Sequence, residues 1–130
     1  MRYSRAMRWA LLLSAMLACG GGDEAGVSFS GNVQPILTVQ CLGGGCHDAP
    51  FPAENLDLRP GAAYDQLVGV MAKQCESTLV VAGDPDASYL VNKLVGVDQC
   101  DGLRMPNQAG LQPDDFQTIL DWIDAGAPDN

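Results

Sequence analysis

Nine consecutive residues, 40–48 (QCLGGGCHD), hold two of the five cysteines and the only histidine of this chain. Cys41 and Cys46 are separated by four residues, three of which are glycines, and His47 follows Cys46 directly. Thiolate and imidazole groups are common ligands of metal ions, and nearby cysteines also form disulfides in oxidising compartments. The segment therefore predicts a metal-containing site, or a disulfide beside an unrelated histidine.

The N-terminus has the features of a bacterial signal peptide. An arginine-rich start precedes an apolar run over 9–17, which is too short to span a bilayer as a helix. The run ends in 16–20 (MLACG), which resembles a lipobox whose Cys19 is acylated and becomes the new N-terminus. We predict a lipoprotein signal peptide over 1–18, lipid attachment at Cys19 and a flexible, glycine-rich tether over 19–28. Ordinary cleavage, or an uncleaved segment, is the alternative.

Export also changes the charge of the chain. The signal peptide contains three of the seven basic residues and none of the 16 acidic ones, so its removal shifts the formal charge from −9 to −12. Such a charge argues against a nucleic-acid partner, because phosphate binding needs positive charge. We expect a monomer in the periplasm or at the cell surface, held to a bacterial membrane by its lipid. Its acidic surface is either merely solvated or steers it toward a basic partner.

The spacing of apolar residues predicts an all-α domain over 29–128, with four short helices joined by long loops. Ser30 is the expected cap of the first helix, and the glycines after Cys41 are expected to end it. No strand pattern adds to the small core that these helices provide. The predicted helices run from about Ser30 to Cys41, over 62–70, over 86–95, and from Pro113 to just before Gly126.

Domains with so little core usually depend on a covalent link or a buried cofactor. Met71, at the end of the second predicted helix, is expected to pack in the core. Tyr64 and Trp122 are expected to pack in the core or against the edge of a cofactor, not to carry redox chemistry.

The cysteine-histidine segment suits a covalently attached haem. Haem c needs two thiols for its vinyl groups and a histidine for its iron, and the usual signature has two residues between the cysteines where this chain has four. Glycine permits an outward bulge without a steric penalty, so the three glycines make the longer loop tolerable. We expect the second axial ligand to be Met105, which lies in a loop stiffened by Pro106.

Five segments resemble, in order, small single-haem c-type cytochrome domains, and most closely the planctomycete-type cytochrome domain of exported bacterial proteins. They are FSGNVQPILTVQCLGGGCHDAP (29–50), LDLRPGAAYDQLV (56–68), VVAGDPDASYLVNKLVG (80–96), RMP (104–106) and TILDWIDAGAP (118–128). The resemblance covers 29–128 and implies a cytochrome c fold in which the first and last helices cross. It also implies one haem c, attached to Cys41 and Cys46, with His47 and Met105 as axial ligands.

The other two cysteines of the exported chain, Cys75 and Cys100, are then expected to form a disulfide that anchors the loop carrying Met105. Free or separately engaged thiols are the alternative. Arg59 is a candidate partner for a haem propionate, or else a solvated surface arginine.

The resemblance implies an electron carrier that exchanges one electron at a time with a redox partner protein. It implies no enzyme, because both axial positions are taken. Other classes remain open. A haem enzyme or sensor needs Met105 to be displaceable. A binding lipoprotein without cofactor would be stapled by a Cys41–Cys46 disulfide, and a zinc site would combine Cys41, Cys46, His47 and Cys100.

Overall fold

The computed structural model describes residues 26–130, and this part of the chain contains four α-helices joined by loops and no strand, as the sequence predicts. A π-helical turn over Phe29–Val33 leads directly into α1, and a single 3-10 turn covers Ala53–Asn55. The predicted signal peptide, Cys19 and most of the tether lie outside the described residues. The helices are α1 (Gln34–Gln40), α2 (Ala63–Leu67), α3 (Tyr89–Val95) and α4 (Pro113–Asp124).

None of the helices between residues 26 and 130 is long and apolar enough to cross a membrane.

α4 agrees with the predicted last helix, since it starts at Pro113 and is followed by Gly126, whose φ is +98°. Its buried stripe consists of Ile119, Trp122 and Ile123, which recur at helical spacing.

The first helical segment begins earlier than predicted. Ser28 caps it, because the Ser28 hydroxyl accepts a hydrogen bond from the backbone N–H of Gly31 at 3.0 Å. The expectation that Ser30 is the cap is wrong, because the wider π-helical turn already includes Ser30. Ser30 is exposed, and its N–H donates to the C=O of Asn130 at 2.8 Å. The start of the domain is thereby fastened to its C-terminus.

Glycines follow the end of α1, as predicted. The N–H of Cys41 still donates to the C=O of Leu37 at 2.9 Å, and residues 43–45 then have φ values of +89, +64 and +84°. These left-handed conformations are easily adopted only by glycine. The chain therefore turns away from the helix axis directly after Cys41, which remains packed against the core cluster.

The core lies where the N-terminal helical segment packs against α4. The ring centroid of Phe29 is 5.2 Å from those of Tyr64 and Trp122. The Tyr64 hydroxyl donates to the C=O of Ala127 at 2.8 Å, and the Trp122 indole donates to the C=O of Pro128 at 3.0 Å. Both aromatic residues therefore pack in the core, with partners for their polar atoms. The largest fully enclosed apolar residues are Val33, Leu37, Leu67, Val80, Ile119, Trp122 and Ile123.

α2 and α3 are shorter than predicted because neighbouring residues make other contacts. After α2 the chain is extended at Val68, which pairs with Val80, so the helix does not continue. Before α3, the Ser88 hydroxyl donates to the C=O of Asp84 at 2.8 Å and holds a turn in place of the predicted first helical residues. Met71 consequently lies outside any helix and is 54% exposed, so the expectation that it packs in the core is wrong.

Candidate functional site

One cavity of about 630 Å³ is lined by all four residues proposed for haem binding: Cys41, Cys46, His47 and Met105. Its size falls within the range of about 300–1,000 Å³ that is typical of small-molecule and cofactor sites. Apolar side chains make up much of its remaining wall, and they come from the loop before α2, from the segment between α2 and α3, and from α3. These are Leu56, Leu58, Leu79, Leu90 and Leu94.

The four residues between the two cysteines form a closed loop. The N–H of Cys46 donates to the C=O of Gly43, and the N–H of His47 donates back to the C=O of Cys41, both at 3.1 Å. The chain therefore returns to Cys41 as it reaches His47, and the extra residues bulge away between them. This is the local geometry that the glycines were expected to permit.

The His47 ring is oriented by a backbone hydrogen bond. Its Nδ1 lies 3.1 Å from the carbonyl oxygen of Leu56. A carbonyl can only accept, so Nδ1 carries the proton in this contact, and in the neutral form of the ring Nε2 keeps its lone pair. The C=O of His47 itself accepts from the N–H of Leu58 at 2.8 Å. Metal-binding histidines are commonly fixed in this way by a hydrogen bond on the other ring nitrogen.

The two thiols beside His47 are not bonded to each other. Cys46 is exposed, whereas Cys41 is half-buried, and burial, reinforced by the charge of Cys46, raises the pKa of the Cys41 thiol to about 11. Cys41 is therefore a neutral thiol near pH 7, and a thiolate-metal bond there would first require an unfavourable deprotonation.

The zinc site considered from the sequence is not formed. Cys100 is bonded to Cys75 and is unavailable as a ligand. Between residues 26 and 130, no group of three or more His, Cys, Asp and Glu side chains is placed to hold a metal ion. The Cys41–Cys46 disulfide of the binding-lipoprotein alternative is likewise not present.

Met105 lies in a tight turn that is attached to α3. Its N–H donates to the C=O of Lys93 at 2.8 Å, and the N–H of Gln108 donates to the C=O of Arg104 at 2.9 Å. Pro106 is buried, and its C=O accepts from the N–H of Gly110 at 3.1 Å. Backbone hydrogen bonds thus fix Met105 to α3 and close the turn in which it lies.

The structure pairs Cys75 with Cys100, whose Cα atoms are 6.0 Å apart. The cavity wall includes residues 70–74, just before Cys75, and residues 101–108, just after Cys100. The two cysteines themselves do not line the cavity. The Tyr89 hydroxyl, also at the cavity, accepts from the N–H of Cys100 at 3.2 Å. The disulfide therefore joins two parts of the wall, one of which carries Met105.

Arg59 is not among the residues that line the cavity. Its guanidinium pairs with Asp57 at 2.7 Å, and these hydrogen bonds hold the pKa of the Asp57 carboxyl below its usual value. The surface alternative for Arg59 is thus the one that fits. Sequence reasoning missed three basic residues that do line the cavity, Lys73, Lys93 and Arg104. Of the three, Arg104 could have been predicted from the sequence, because it directly precedes Met105 in a chain with few basic residues.

No protein-family model matches this chain, and neither a curated protein nor a solved structure was found to match it. The resemblance to c-type cytochrome domains therefore depends on the sequence motifs.

Proposed function

We propose that this chain is a haem-binding c-type cytochrome domain with a cytochrome c-like fold, which carries one electron at a time outside the cytoplasm. One observation supports this proposal above all. A single cavity of cofactor size is lined by two unbonded thiols, a histidine with its Nδ1 engaged by a carbonyl, and a methionine. The sequence separates the methionine from the histidine by 57 intervening residues, so local sequence alone does not bring them to one cavity.

The residues of the cavity fit one haem c. Cys41 and Cys46 would hold it through thioether bonds, and His47 and Met105 would bind its iron. The leucines of the wall supply the apolar surroundings that a porphyrin needs. When bound, haem would supply the one-electron chemistry, and His/Met ligation favours a comparatively high reduction potential.

The protein's own groups would mainly position ligands and limit access. The hydrogen bond between His47 Nδ1 and the Leu56 carbonyl directs Nε2 to be the free ring nitrogen. The Lys93 carbonyl and the turn around Pro106 hold Met105 in its loop. A ligand set that uses both side chains leaves no position for a substrate, which favours an electron carrier over an enzyme.

The predicted lipid on Cys19 would keep the domain at a membrane, where it meets a redox partner protein. We propose that the protein is a monomer, and that the acidic charge of the exported chain steers it toward a basic partner. The residues that line the cavity fall between Gln40 and Gln108, outside the predicted signal peptide and tether, so haem binding can be tested on the exported chain.

The decisive experiment is to produce the full chain together with haem-attachment machinery and to measure its mass under denaturing conditions, with a reduced pyridine spectrum. We expect one covalent haem per chain, and none in the Cys41→Ala/Cys46→Ala variant. Correctly exported wild-type protein without covalent haem would refute the proposal and would favour a binding lipoprotein without a cofactor.

Carbon monoxide binding separates an electron carrier from a haem enzyme or sensor. Met105→Leu should create an open iron position and bind carbon monoxide when reduced, whereas the wild type should bind it poorly. Met71→Leu is the matched control, because Met71 is the other methionine at the cavity within the described residues. Rapid binding by the wild type would contradict electron transfer as the function, and binding by Met71→Leu alone would show that the ligand is misassigned.

A further inference from the structure

A second cavity, of about 640 Å³, opens at the surface beside α1. We call it the Gln34 groove, and its wall includes Gln34, Pro35, Val39, Tyr64, Asp65 and Asp129. Val39 is 75% exposed although its side chain is apolar. Exposed apolar surface within a cavity of this size is typical of a binding site.

The side chain of Gln34 leaves an acceptor without a partner in the wall of this groove. Gln34 is only 8% exposed, and its Nε2 donates to the C=O of Leu58 at 3.0 Å and to the Thr38 hydroxyl at 3.3 Å. Its Oε1 is enclosed and makes no hydrogen bond. Exchanging the two amide atoms gives no improvement, because an oxygen would then face the Leu58 carbonyl. A buried acceptor without a donor is unfavourable, so an occupant that brings an N–H group to Oε1 is favoured.

The charged side chains of the groove are all negative. Asp65 and Asp129 belong to its wall, both are exposed, and neither is in an ion pair within residues 26–130. In this part of the chain no lysine, arginine or histidine lines the groove, and Arg59 is already paired with Asp57. Burial, together with the charges of Asp129 and Asp65, raises the pKa of the Tyr64 hydroxyl. The groove is therefore complementary to a cation.

A protein side chain suits this groove better than a free amine. Lysine and arginine have an apolar stem that packs on apolar surface while the charged end reaches acceptors. The wall is open to solvent, since Pro35, Thr38 and Val39 are exposed, whereas small-molecule sites bury most of their ligand. The strongly acidic charge of the exported chain also attracts a large basic partner more than a single small cation.

The groove and the proposed haem cavity share one residue of their walls, Asp65. We propose that the Gln34 groove is a docking site for a basic partner protein, which inserts a lysine or arginine side chain toward Asp65, Asp129 and the Oε1 of Gln34. The partner would thereby lie beside the haem cavity. That this partner exchanges electrons rests on the proposed function, whereas its docking does not.

The test uses NMR spectra of the isotope-labelled, reduced exported chain at low salt, with three probes. They are a tripeptide of leucine, lysine and leucine with blocked ends, the same peptide with norleucine in place of lysine, and butylammonium as the free amine. The lysine peptide should shift the side-chain carboxamide signal of Gln34 and the amide signals of Val39 and Gly61. The norleucine peptide should leave them unchanged, and butylammonium should bind about tenfold more weakly or less.

Asp65→Asn/Asp129→Asn removes both carboxylates of the groove and should weaken binding of the lysine peptide about fivefold. Asp86→Asn/Asp124→Asn is the matched control, because it removes the same charge from exposed residues that line neither cavity. The control should bind the peptide as the wild type does. Equal weakening in both variants would mean that only net charge matters, and this result refutes the docking site.

The remaining outcomes separate docking from haem binding. Equal shifts with the lysine and norleucine peptides, or an unchanged Gln34 signal in protein with normal haem content, refute only the docking site. Butylammonium that binds as tightly as the lysine peptide refutes a protein partner in favour of a free amine. Absence of covalent haem from the wild type refutes the proposed function, and the peptide should still bind.

Discussion

Around Trp122, side chains are enclosed by other side chains, whereas around His47 the apolar side chains border a cavity of about 630 Å³. In the first region, which we call the aromatic core, Phe29, Tyr64 and Trp122 contact one another, and the polar atoms of Tyr64 and Trp122 have backbone partners. In the second, the cavity region, Met71 and Leu103 are more than half exposed. The aromatic core can be stabilised by packing alone, while the cavity region depends on a covalent link and, we propose, on a cofactor.

The largest effect on stability is expected from breaking the aromatic core. Trp122→Ala removes a fully enclosed side chain and leaves a cavity, and should lower the free energy of unfolding by about 3–5 kcal/mol. Leu103→Ala, in the cavity region, is the control and should change it by about 0.5 kcal/mol or less, because Leu103 is 57% exposed. Urea unfolding of both variants measures the difference. Equal effects would show that the two regions are not distinct in packing.

A second prediction concerns the covalent link of the cavity region. The Cys75–Cys100 disulfide closes a segment with a sequence separation of 25. Replacing both cysteines by serine should therefore cost about 3 kcal/mol, mainly through the entropy of the unfolded chain. The same variant should bind carbon monoxide more readily when haem-loaded and reduced, because the Met105 loop loses its anchor.

Treatment with a reductant provides the control for that experiment. It should destabilise the wild type by a similar amount and leave the Cys75→Ser/Cys100→Ser variant unchanged. Loss of stability without any change in carbon monoxide binding would mean that the disulfide stabilises the domain but does not support Met105.

The smallest predicted effect tests the start of the aromatic core. Ser28→Ala removes the side chain that accepts from the N–H of Gly31, and should cost about 1 kcal/mol. Ser30→Ala leaves the backbone bond to Asn130 intact and should cost about 0.5 kcal/mol or less. Thermal unfolding of the two variants compares them directly, and a larger loss for Ser30→Ala would restore Ser30 as the capping residue.

Sequence reasoning succeeded where the signals are local. The Pro113 start of α4 and the Gly126 stop both act within a few residues, and the structure agrees with them. The predicted ends of α2 and α3 were wrong because Val68 and Ser88 make contacts with Val80 and Asp84 that helical periodicity does not include. The candidate ligands could be named from the cysteine-histidine spacing and the Met105-Pro106 loop, although their shared cavity could not be derived from spacing.

The sequence by itself determined that the chain is helical, that its cysteine-histidine loop can bulge at three glycines, and that its short helices provide only a small core. Tertiary structure alone decided that Arg104 and not Arg59 lies at the cavity, and that Met105 lines the same cavity as His47. The physical reason is the range of the interactions. Helix periodicity and glycine conformation are set by neighbouring residues, whereas a cavity wall is assembled from segments that only the folded chain brings together.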